Sequence, residues 1–190
     1  MGVCPSRLKK MYSKISAAFG LVAVGILFRT VFHIGDNIET ITSGTLVAAA
    51  YLGPFWALAV PLTSMAVSDL ILGNSLIFIF TWTAYMIIGV TAFLFFRKKK
   101  KDRLIIPSIL AAGGASIFFY LWTNFGVWFL DFYGMYPKTL PGLAEAYILG
   151  LPFLKMNLLG NLIFVPLFFF IAQIVRAEAK EENKNKIFSG

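Results

Sequence analysis

Few residues in this 190-residue chain carry side chains able to do chemistry, and nearly all of them lie at the margins of apolar runs. Arg29 lies near the end of the first run and Asn37 follows it, while Asp69 interrupts the third. Asn124, Trp128, Asp131, Tyr136 and Thr139 fall in one aromatic, Gly- and Pro-rich stretch, TNFGVWFLDFYGMYPKTLPG (123–142). Asn157 and Asn161 open the last run. Amides, hydroxyls, indoles and phenols hydrogen-bond and stack, which is the equipment of small-molecule recognition. Bond-breaking machinery is not evident. The chain has no G-x-x-x-x-G-K-[ST] loop, no G-x-S-x-G elbow and no H-E-x-x-H pair. Asp69 stands alone among the apolar runs, without a second carboxylate for acid–base work. One His and one Cys do not make a zinc site. The expectation is a binding protein with no enzyme activity, no metal and no cofactor.

The elements that position these residues follow from composition and charge. With 58% hydrophobic and 14% charged residues, the chain is far greasier than a soluble domain and belongs in a bilayer. Apolar runs at 13–34, 76–96, 104–123 and 151–175 are each long enough to span. The stretch 42–74 contains Gly53-Pro54, a plausible turn, so it divides into 42–53 and 54–73. All Lys and Arg except Arg29, Lys138 and Lys155 fall in three clusters that flank apolar runs: 7–14, RKKKKDR (97–103) and 176–186. That is the mark of cytoplasmic loops, and it demands an even number of spans between clusters. It also argues against nucleic acid as a partner and for the lipid bilayer. The opening MGVCPS loosely fits an acylation pattern, but the run after it is too long for a signal peptide and reads as a retained span. The fold class predicted is an all-α polytopic membrane protein. Residues 1–190 form a single membrane domain of six transmembrane helices, with N- and C-termini cytoplasmic. Residues 124–150 form an outer loop or lid, and 176–190 a cytoplasmic tail.

Depth then follows from topology. Arg29, Asn37, Asp69, Asn124, Asn157 and Asn161 all come out in the outer half. A charged group in the membrane interior costs about 2.5 to 3.5 kcal/mol on insertion scales, so such groups have partners or jobs. Snorkelling and interhelical glue account for each residue singly. An outward-opening pocket accounts for their one-sidedness. Connections of about 4 to 6 residues are usual, so an aromatic segment as long as 124–150 reads as a lid over such a pocket, with an aromatic belt as the bland alternative. In the lid reading Asn124, Trp128, Asp131, Tyr136 and Thr139 face the ligand, and Asp69 and Arg29 shape the site.

Several blocks carry a resemblance. NFGVW (124–128), YPKT (136–139), Tyr147, LPF (151–153), NLLGN (157–161) and VPLTSMAVSDLILG (60–73) resemble the signature of an uncharacterised prokaryotic integral membrane family. That family is similar to the S components of energy-coupling factor (ECF) vitamin transporters. The resemblance implies a six-helix S-component-like bundle in the prokaryotic plasma membrane, with an outward pocket closed by loops. It also implies a transmembrane coupling subunit with ATPases as partner. Two departures stand out: DNIETIT (36–42) replaces a polar–Pro pair, and Gly160-Asn161 replaces Gly-Asp. The function expected is a substrate-binding subunit for uptake of a vitamin-like small molecule. The alternative is an assembly protein whose aromatic outer loop docks a partner.

Overall fold

Runs of Leu, Ile, Val, Phe and Ala leave a backbone only its own N–H and C=O groups to pair, and among the described residues each run is helical. The computed structural model describes residues 5–32, 38–73, 76–131 and 134–188. The helices are α1 (Pro5–Thr30), α2 (Ile41–Val47), α3 (Pro54–Leu72), α4 (Phe78–Phe96), α5 (Ile105–Leu130) and α6 (Leu140–Phe188). A π-helical turn, Ala48–Leu52, continues α2, and a 3-10 turn, Lys101–Arg103, precedes α5. No strand occurs among the described residues. Five of the helices are long and apolar enough to cross a membrane.

α2 is the exception. With its π turn it covers Ile41–Leu52, about 18 Å at 1.5 Å per residue, against a hydrocarbon core of about 30 Å. The span expected at 42–53 is therefore a helix too short to cross alone. It sits in the middle of the bundle, with every residue from Ile41 to Ala50 buried. α2 runs antiparallel to α1: Thr40 Oγ1 donates to Val24 O at one end, and Lys14 Nζ donates to Leu52 O at the other. Lys101 Nζ reaches the same π turn, donating to Ala50 O at 2.5 Å. Two ammonium groups thus cap carbonyl oxygens at a helix C-terminus, where the dipole favours cations. Burial first, and then Arg176 nearby, lowers the pKa of Lys101 below the usual lysine range. Gly53, at φ 114°, and Pro54 at the first position of α3 turn the chain back.

α3 and α4 pack closely because Gly89 lies against the Ala57 carbonyl, where any Cβ would overlap backbone. α5 and α6 form an antiparallel hairpin whose reach exceeds expectation. α5 continues to Leu130 instead of stopping at 123, and α6 begins at Leu140 instead of 151. The long outer loop expected over 124–150 is therefore mostly helix, and the connection is 131–139. α6 also runs on through much of the expected tail. Its Lys180 pairs with Asp102 at 3.4 Å, which keeps the third basic cluster beside the second.

Candidate functional site

At the end of the bundle opposite the lysines, α1, α3, α4 and the chain before α2 meet in one polar cluster. Arg29 on α1 is its hub. Its Nη2 donates to Asp69 Oδ1 at 2.7 Å, and its Nη1 stands 3.7 Å from Glu39 Oε2. Each carboxylate has a second, neutral donor: Trp82 Nε1 to Asp69 Oδ2 at 2.7 Å, and the Tyr85 hydroxyl to Glu39 Oε1. Asp69 is 9% exposed and Tyr85 fully buried. Buried charge is tolerable only when paired and hydrogen-bonded, and this cluster meets both conditions. It ties four elements together at this end of the bundle and leaves Arg29 and Asp69 committed to each other.

Asn124, Tyr136 and Asn157 meet elsewhere. They line a cavity of about 230 Å³ between α5 and α6. Ser116, Phe119, Tyr120, Thr123 and Val127 complete the α5 wall, and Gly150 and Phe153 contribute from α6. Asn161 lies one turn beyond Asn157, and its Nδ2 donates to Ser116 Oγ at 2.8 Å and to Asn157 Oδ1 at 3.0 Å. Its Oδ1 is buried without a hydrogen-bond partner among the described residues. The hairpin around the cavity is tied by two reciprocal bonds: Tyr120 Oη donates to Tyr147 O at 2.6 Å, and Tyr147 Oη to Leu121 O at 3.1 Å. Gly150 lets Asn124 in, because a Cβ there would overlap the Asn124 amide. A second hollow, about 460 Å³ between α4 and α5, is lined by apolar residues except for Thr91, whose hydroxyl already donates to Ile87 O. Only the first offers convergent polar groups in an apolar wall, the usual make-up of a small-molecule site.

Trp128, Asp131 and Thr139 build the turn between α5 and α6 and do not line the cavity. Asp131 takes the left-handed conformation, φ 35°, that ends α5, and its Oδ1 accepts from the Met135 and Tyr136 N–H groups. Thr139 Oγ1 accepts from Gly142 N–H, as a helix N-cap does. Trp128 Nε1 donates to Pro137 O at 3.1 Å, and Lys138 lies over the indole ring. Asn37 lies outside the described residues.

A family of unknown function, DUF6580, matches residues 9–183, nearly the whole chain and both polar clusters. The chain belongs to this family. Neither the curated proteins nor the solved structures held a match. In this DUF6580 member, sequence reasoning missed Glu39, Trp82 and Tyr85, and with them the second carboxylate near Asp69. Glu39 sits in a polar connecting stretch where an acid excites no notice. Its pairing with Arg29 is a tertiary fact. Ser116 and Tyr120 were likewise invisible inside an apolar run, although a hydroxyl four residues before Asn124 was a usable signal.

Proposed function

We propose that this DUF6580 member is a substrate-capture subunit for uptake of a small, vitamin-like molecule across a prokaryotic plasma membrane. In this reading six helices, with α2 counted as a short buried one, place both termini in the cytoplasm. The lysine-rich end of the bundle is cytoplasmic by the positive-inside rule. The observation that carries the reading is the α5–α6 cavity, where Asn124, Tyr136 and Asn157 converge from three parts of the chain. The blocks NFGVW and NLLGN, which carry the resemblance to the uncharacterised membrane family, supply Asn124 and Asn157 to that cavity. With no nucleotide-binding loop of its own, the chain would work with a transmembrane coupling subunit and its ATPases.

Native mass spectrometry of the protein released from lipid nanodiscs tests this. Wild type should carry a small molecule, and Gly150→Leu, whose side chain would displace the Asn124 amide at the cavity wall, should carry none. A wild type that carries nothing, or equal loads in both, would sink the proposal. One observation favours the docking alternative: Phe129 and Met135, beside the turn, are each 58% exposed. If docking is the function, Phe129→Ala with Met135→Ala should abolish it while Gly150→Leu leaves it intact.

A further inference from the structure

Hydrogen bonds already made inside the α5–α6 hairpin restrict what the cavity can hold. Three polar groups on its α5 wall spend hydrogens on backbone carbonyls. Tyr120 Oη donates to Tyr147 O, Thr123 Oγ1 to Phe119 O at 2.8 Å, and Asn124 Nδ2 to Tyr120 O at 2.8 Å. A hydroxyl has one hydrogen, so Tyr120 and Thr123 have only lone pairs left to offer. Asn124 keeps its Oδ1 and one N–H. Among the described residues no Lys, Arg or His lines the cavity. The stretch from Tyr120 to Asn124 is therefore biased toward accepting, the Ser116 and Tyr136 hydroxyls elsewhere on the lining keep a hydrogen to donate, and no charged side chain among the described residues lines the cavity.

This bias sorts ligands by charge and by donors. A carboxylate or phosphate brings only acceptors and needs several donors to replace its hydration, and an unpaired anion in such a site is costly. A molecule that brings N–H or O–H groups meets ready partners. Size narrows the class further. Pockets for drug-sized ligands run from about 300 to 1,000 Å³, so a cavity of about 230 Å³ suits something smaller, of the order of one ring. Phe119 and Phe153 supply apolar surface for that ring.

Granting the capture reading, we infer that the cavity selects a non-anionic, single-ring molecule that donates hydrogen bonds to Tyr120 Oη, Thr123 Oγ1 and Asn124 Oδ1. Benzamide and benzoate are matched probes, alike in ring and size, one a neutral donor and the other an anion. Saturation-transfer NMR on the nanodisc-embedded protein reads their binding. Benzamide should give a signal that Gly150→Leu abolishes and that weakens roughly fivefold in affinity in Thr123→Val, which keeps the shape but removes one acceptor. Benzoate should give none that depends on Gly150. A benzoate signal lost in Gly150→Leu overturns the inference, and so does the absence of any Gly150-dependent benzamide signal. The two levels of failure separate by the mass of what the native protein retains. A retained anion defeats the ligand class and leaves capture standing, whereas an empty wild type defeats capture too.

Discussion

Arg29 faces two carboxylates with one guanidinium, and the geometry decides what each substitution does. Arg29→Met would strand Asp69 as a buried anion and Glu39 as a partly buried one, a loss of about 3 to 5 kcal/mol. Thermal unfolding in detergent should show a much lower midpoint for that variant than for Arg29→Met combined with Asp69→Asn and Glu39→Gln, which removes the charges together. Arg29→Lys should fall between them, because a single ammonium cannot fork toward both partners. At Gly150 the effect is steric. A valine there would overlap the Asn124 amide and cost about 1 to 3 kcal/mol of overpacking, read by the same unfolding assay.

Among the elements, the turn 131–139 is the most exposed to single-residue control. Asp131 accepts two backbone N–H groups through one oxygen. Asp131→Ala should cost about 1 kcal/mol and raise hydrogen exchange at the Met135 and Tyr136 amides selectively, while the α1–α4 amides stay as protected as before. How much of the hairpin was legible turns on its glycines. Gly126 and Gly142 read along the chain as breakers, so the stretch was expected to be a long loop. In the bundle both are contact residues: Gly126 seats the Phe80 ring and Gly142 faces the Pro137 carbonyl, as Gly150 further on faces Asn124. A glycine that breaks and a glycine that admits a neighbour look alike until the neighbour is known. The same limit hid the buried, non-spanning character of α2, because nothing local distinguishes a 12-residue buried helix from a short span. The apolar runs and the Gly53-Pro54 turn were legible, since composition and charge placement carry that information.

At the scale of the whole molecule, charge is segregated between the two ends. Lys14, Lys101, Arg176 and Lys180 gather at one end, and the Arg29 cluster and the α5–α6 turn occupy the other. If the lysine end is cytoplasmic, a cysteine at Lys99 should react with an impermeant maleimide only after cells are opened. A cysteine at Lys138 should react in intact cells, with Cys4 replaced by Ala in both. The reverse pattern would invert the orientation and put the cavity on the wrong side for uptake.

The double lysine cap on the π turn bears on how the chain is made. Ala50 and Lys101 are 51 residues apart, so the second cap is synthesised only after the whole of α3 and α4. Until then α2 is a 12-residue helix, too short to hold a transmembrane position alone, with its end carbonyls served by Lys14 only. Insertion of the first four helices should therefore be provisional, completed when the RKKKKDR run arrives. A chain ending at residue 96 and released from the ribosome should be extracted from microsomes by alkaline carbonate more readily than a released chain ending at residue 130.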